Sequence, residues 1–215
     1  MSITADCRRG VQAVVDRFGA LDVLVNCAGV SMAPAARDRQ GRAKFFEADP
    51  DGWQRILAIN CIGPFLMARF AVEPMLARAW GRIINVTTSF DTMLAGSLSA
   101  YGASKAALEA STAGWAKDLE GTGVTVNVLV PGGPTDTAFF PPGAPRPPAL
   151  LDPQVMAAPV AWLASAQSDG VTGCRFVARD WDARVPPAEA AAKCRAPAAW
   201  PGLARAAEAA RGAVV

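Results

Sequence analysis

The chain has 215 residues, 52% hydrophobic and 19% charged, a balance that excludes a disordered polypeptide and suits one α/β domain with a sizeable core. Its 21 basic and 19 acidic residues leave a net charge of +2 with the arginines scattered, which argues against a nucleic-acid surface. Histidine is absent, so Ser-His-Asp and Cys-His catalysis and every histidine-metal motif are excluded, and no metal site is expected.

Val11, Val14, Val15 and Phe18 recur at helical spacing, and Gly19 reads as the helix C-cap. Leu21–Val25 follows as a short apolar run, the pattern of a strand buried on both faces of a parallel sheet. Small residues, Asn26-Cys27-Ala28-Gly29, close it, and the stretch from Ser31 to Pro50 is loop-like. Trp53 to about Ala79 predicts a long helix, kinked or interrupted at Pro64 and Pro74. Arg82–Val86 is the second strand, Tyr101–Leu119 the next helix, stopped at Gly121 or Gly123, and Val124–Val130 a β-branched third strand ended by Pro131-Gly132-Gly133.

Ala138–Pro153 is proline-rich loop. A helix from Pro153 to about Ala166 and a strand at Cys174–Val177 follow. From Trp181 the composition turns to Ala and Pro, with a short helix expected near Leu203–Arg211. The domain assignment is therefore residues 1–180 for the α/β unit and 181–215 for a C-terminal extension. Strands alternating with helices indicate a parallel sheet. Trp53, Trp80 and Trp115 are expected in core or interface.

The five cysteines form no CxxC pair and read as reduced thiols of a cytoplasmic protein. No run approaches the roughly 18 consecutive apolar residues of a membrane span, so no membrane partner is expected.

The single tyrosine stands four residues before one of the four lysines, in Tyr101-Gly102-Ala103-Ser104-Lys105. On a helix that spacing puts the phenol and the ammonium on one face, a turn apart. A nearby cation favours phenolate, which brings the tyrosine closer to working as a proton donor and acceptor near neutral pH. Reduction of a carbonyl, or oxidation of an alcohol, needs a general acid/base of this kind.

With these motifs in order, the chain resembles the short-chain dehydrogenase/reductase family over roughly Ile3 to Asp180. Asn26-Cys27-Ala28-Gly29 is similar to the family's Asn-Asn-Ala-Gly signature, Asn60 to its helix asparagine, Tyr101 and Lys105 to its YxxxK pair, and Pro131-Gly132 to its Pro-Gly turn. The hydroxyl thirteen residues before the tyrosine is Thr88, where the family usually has serine. Ser89 is the register-shifted candidate, and side-chain alternation favours Thr88.

The resemblance implies a Rossmann-like doubly wound parallel sheet and hydride transfer between NAD or NADP and a small-molecule carbonyl or alcohol. Tyr101 would move the proton, Thr88 would polarise the substrate oxygen, and Lys105 would lower the tyrosine's pKa and bind the nicotinamide ribose. Asn60 would hold a proton-relaying water, though an asparagine there can also cap a kink near Pro64. Asn26, Ala28, Gly29, Pro131, Gly132 and Thr135 would contact the cofactor with Tyr101 and Lys105; Thr137 competes with Thr135, and Asn26 can also simply terminate its strand. The resemblance further implies a homo-oligomer built on the two long helices.

The family's opening strand and glycine-rich TGxxxGxG turn have no counterpart in this sequence; Gly121-Thr122-Gly123 precedes a strand, where that fingerprint must follow one. The sheet is expected to lack its first strands, Leu21–Val25 to form an uncovered edge, and the reading to be an N-terminally truncated one. The alternative to an oxidoreductase is a catalytically silent fragment or pseudoenzyme acting by association. Phe139 and Phe140 suggest an apolar substrate lining.

Overall fold

The computed structural model describes residues 2–36, 41–140 and 146–203 around one five-stranded sheet in the order β1-β2-β3-β4-β5. The strands are β1 Val23–Asn26, β2 Gly81–Val86, β3 Val124–Val130, β4 Cys174–Val177 and β5 Arg195–Pro197. The first four are parallel, with Leu24 opposite Ile83, Ile83 opposite Val126 and Leu129 opposite Phe176. Every residue of β3 and the first five of β2 are buried. That two-sided burial is why their sequences run apolar instead of alternating.

Seven helices cover the two faces: α1 Thr4–Phe18, α2 Pro50–Leu57, α3 Gly63–Ala77, α4 Phe90–Met93, α5 Ser99–Asp118, α6 Ala157–Leu163 and α7 Pro187–Cys194, counted among the described residues. Ile83 and Val126 pack with Val11 of α1 and Leu66, Phe70 and Met75 of α3. Ile84, Leu129 and Phe176 point the other way, against Trp162 and Leu163 of α6 and Ala191 and Cys194 of α7. Consecutive β2 residues thus feed two separate cores, the doubly wound arrangement expected of alternating strands and helices. Gly19 ends α1 in the left-handed region at φ 79°, as its position predicts.

Two features depart from the sequence reading. The long helix starts at Pro50, N-capped by Asp49, whose carboxylate accepts from Gly52 N at 2.7 Å. It runs to Ala77 without a break, because a π turn at Ala58–Ile62 widens the helix just ahead of Pro64. A wide turn there accommodates a ring that would otherwise strike the carbonyl four residues back. Pro74 lies inside α3 without ending it.

The second departure is β5, which pairs antiparallel with β4, Arg175 opposite Ala196. Within the Ala/Pro-rich extension, Arg195–Pro197 therefore joins the same sheet and α7 packs on it, with Ala190, Ala191 and Cys194 buried. The helix expected at Leu203–Arg211 lies almost wholly outside the described residues.

Pro50–Ala77 is long and apolar enough, by length and composition, to cross a membrane, with a mean hydropathy of 1.5 over its best 18 residues. It packs on α1, β1 and β2 and carries the fully buried Asn60 at its middle.

At the other side of the sheet, β1 hydrogen-bonds only β2 among the described residues. Val25 on this edge is 39% exposed. An uncharged open edge of a parallel sheet invites pairing with another chain, and a lysine on it discourages that. Val25→Lys is expected to reduce concentration-dependent light scattering with the melting temperature nearly unchanged; equal scattering from both proteins would clear this edge of self-pairing.

Candidate active site

The C-terminal ends of β1, β2 and β3 open towards the N-terminal half of α5, and the predicted residues converge there. Tyr101, Lys105 and Glu109 follow one another at four-residue intervals on α5, and all three are buried. Lys105 Nζ donates to the Val86 carbonyl at 2.9 Å. Asn60, from the π turn, is fixed at three points: Oδ1 accepts from Val30 N at 2.8 Å, and Nδ2 donates to Val30 O at 2.8 Å and to Ser104 Oγ at 3.1 Å. Ser104 in turn donates to Tyr101 O at 2.7 Å. The asparagine therefore joins the loop after β1 to the tyrosine-bearing turn, which a kink cap would not do.

Thr88 and Ser89 separate cleanly. The Ser89 hydroxyl caps α4, accepting from Thr92 N at 3.2 Å. The Thr88 hydroxyl faces the Tyr101 phenol and acts to lower its pKa. The ring of Tyr101 lies 5.3 Å from that of Phe139, which comes from the proline-rich loop and shields the phenol's other side.

The electrostatics differ from the expectation that Lys105 depresses the tyrosine. Burial pushes the phenol up to about 12, with the Thr88 hydroxyl acting against it. Burial likewise draws Lys105 down to about 8, opposed by the neighbouring Cys27 and Cys61. The ammonium is engaged with Val86 O, and desolvation is the largest influence on the phenol.

The residues expected around a cofactor divide into two groups. Gly29 lies directly in front of Asn60 and Lys105: a Cβ there would come within 3.1 Å of Asn60 Oδ1 and 3.5 Å of Lys105 Nζ. Ala28 beside it is exposed. Gly132 adopts φ 94°, and a side chain there would strike Arg179 Cβ and Val177 Cγ1 at 2.8 and 2.9 Å, so the turn after β3 needs glycine. Pro131 O accepts from Arg179 N at 3.0 Å, which ties that turn to the end of β4.

Asn26 points inward instead. Its Nδ2 donates to Asn85 Oδ1 at 2.9 Å, and Asn85 donates to Thr112 Oγ1 at 2.9 Å, a buried chain from β1 through β2 to α5. Asn26 frames the site without facing it. Thr135 is turned to its own loop, donating to Gly133 O at 3.2 Å, while Thr137 caps Phe139 N at 3.3 Å.

Sequence reasoning missed Ser104, Asn85, Thr87, Glu109 and Arg175. Glu109 continues the Tyr101–Lys105 row by one more turn, and Arg175 is a charge inside an otherwise apolar strand. Both signals were legible without the structure.

The residues present fit the nicotinamide-ribose end of a dinucleotide. Lys105 Nζ has three protons and spends one on Val86 O, and the lack of a side chain at Gly29 leaves the approach clear. A cavity of about 340 Å³ extends from there, lined by Gly29, Val30, Ser31, Ala33, Pro34, Ala138 and Phe139. Among the described residues no glycine-rich turn joins a strand to a helix where a pyrophosphate would rest.

A phenol, a lysine and a hydroxyl thus stand together at the carboxyl end of a parallel sheet, the arrangement and fold of the dehydrogenase/reductase class. Residues 1–142 match the family model for short chain dehydrogenases, and the chain belongs to that family. It is 37% identical to the D-beta-hydroxybutyrate dehydrogenase of Rhizobium meliloti over 55% of this chain and 43% of that enzyme. To the 3-oxoacyl-[acyl-carrier-protein] reductase of Vibrio cholerae it is 30% identical, over 76% of this chain and 67% of the relative. A metagenomic short-chain oxidoreductase crystallised with NADP superposes with a TM-score of 0.65 at 25% identity, over 82% of this chain and 69% of that one. The chain thus spans less than half the length of the first of these relatives.

Lys105 supplies a stability test. Its proton is held less tightly in the folded chain than in the unfolded one, where the pKa is near 10.5. The buried charge therefore costs stability below about pH 8, and the cost fades as pH rises to about 10.5. Lys105→Met is expected to stabilise the protein at pH 7 by on the order of 2–3 kcal/mol, with no gain left near pH 10.5. Thermal melts of both proteins across that range check it; a pH-independent difference would refute the burial account.

Proposed function

We propose that the chain carries the catalytic centre of an NAD(P)-dependent oxidoreductase that interconverts a carbonyl and an alcohol. The observation that carries this reading is the buried Tyr101 phenol held between Thr88 and Phe139 with Lys105 one turn behind it. When bound, the nicotinamide supplies or accepts the hydride.

The chain's own residues handle the rest. The phenol is neutral at physiological pH and can donate its proton at Oη to a carbonyl oxygen, while its burial, which raises the pKa, leaves it a weak acid until a bound partner lowers that value. In the oxidative direction the same oxygen takes the alcohol proton. The Thr88 hydroxyl is placed to share the developing negative charge with the phenol. Lys105 Nζ lies behind the Gly29 opening, where its remaining N–H bonds would hold a ribose hydroxyl. Asn60 holds the Val30 loop and the Ser104 turn in register, so the site keeps its shape. Phe139 excludes water from one face of the phenol and favours an apolar substrate.

A role by association alone requires none of these groups, and their joint presence speaks for catalysis. Fluorescence titration of the full chain with NADH and NADPH tests it, with saturable binding of at least one expected; no response to either would sink the proposal for this chain. Tyr101→Phe is expected to reduce turnover by at least about 10²-fold while leaving dinucleotide binding intact.

Self-association through α3 and α5 belongs to the same proposal. Ile62 and Phe65 are about half exposed, and Phe65 lies 6.4 Å from Trp115 of α5, leaving an apolar face across both helices. Sedimentation is expected to find an oligomer that Phe65→Glu dissociates; a monomeric unaltered chain would remove this part.

A further inference from the structure

One guanidinium organises the whole segment that leaves β2. Arg175, on β4, sends Nη1 to Glu109 Oε2 at 2.7 Å and to Thr87 Oγ1 at 3.3 Å, and Nη2 to the Thr88 carbonyl at 2.8 Å. Its plane covers the Phe90 ring, 4.2 Å from the centroid. Thr87 also donates to Glu109 Oε2 at 2.7 Å, and the other carboxylate oxygen accepts from Ala199 N at 3.4 Å. The side chains of Arg175 and Glu109 are only 6% and 0% exposed.

We propose that Arg175, held by Glu109, is a positioning residue that fixes the Thr88 hydroxyl against the Tyr101 phenol. Stability is a weak reason for such a pair, because packed apolar residues commonly replace buried ion pairs without loss. The fork gives something an apolar pair cannot. One branch locks onto the helix that carries Tyr101 and Lys105, and the other grips the peptide of Thr88 itself. Threonine is β-branched, so with its backbone held, few directions remain for its hydroxyl. The row Tyr101, Lys105, Glu109 thus contains the donor at one end and the anchor of its partner at the other.

The catalytic meaning of this arrangement rests on the function proposed above, but its test does not. Tyr101 is the only tyrosine, so chain grown with ζ-¹³C-tyrosine gives a single NMR line that reports the phenol's hydrogen bonding without any cofactor. Thr88→Val calibrates the line for the lost bond. Arg175→Lys keeps the charge opposite Glu109 and gives up the fork, while the Glu109→Leu, Arg175→Met double variant removes both charges together.

The line is expected to move in both to the Thr88→Val position, with folding confirmed by thermal melts. Where turnover is measurable, kcat should fall by up to about 10²-fold with KM unchanged, the cost of losing one oxyanion donor. A wild-type line in either folded variant, a Thr88→Val line that does not move, or failure of both variants to fold would overturn the proposal. A chain that binds no dinucleotide would defeat the functional reading and leave this result standing.

Discussion

A helix that brings a phenol, an ammonium and a carboxylate into a protein interior at four-residue intervals must find a partner for each, and α5 sets that requirement for everything around it. Tyr101 meets Thr88, Lys105 meets the Val86 carbonyl, and Glu109 meets Arg175 and Thr87. Val86, Thr87 and Thr88 lie at or just past the carboxyl end of β2, and Arg175 reaches them from β4. The register of the sheet against α5 is therefore fixed by polar contacts as well as by packing. A slip of one residue would leave an ionised group unpaired in a low-dielectric interior, which is far costlier than a misplaced methyl group.

The same burial explains how the site departs from a simple picture of a lysine activating a tyrosine. In the free chain, desolvation acts on both groups in opposite directions, raising the phenol and lowering the ammonium. The phenol is thereby kept as an acid and the lysine as a modest cation close to its own titration. Stability is given up locally for reactivity, and the polar chain Asn26–Asn85–Thr112, with the three bonds of Asn60, stiffens the surrounding frame.

Much of this was legible in the residues. β3 was readable to its end residues because its apolar, β-branched run is bounded by Gly123 and Pro131, β4 began where Gly173 ends its turn, and Gly19 marked its helix end without ambiguity. Tyr101 and Lys105 announced themselves by spacing, Asn60 and Thr88 came only with the family resemblance, and the structure brings all four to one place. What stayed hidden depends on distant partners. Arg195–Pro197 has no strand-like sequence and is a strand only because β4 has an edge to offer. Asn26 looked like a cofactor contact because sequence cannot tell which way a strand-end side chain points. The π turn was masked by Pro64, which spoke for a break where a wider coil sufficed.

The two edges of the sheet are unlike each other. On one side β5 is three residues long, runs against its neighbour and ends at Pro197, which has no N–H to offer. On the other, β1 keeps a row of parallel-strand groups with no hydrogen-bonded neighbour among the described residues. Among the described residues β1 is therefore the more open of the two edges. Two copies meeting edge to edge through β1 would each use that edge, so a pairing of this kind closes at a pair.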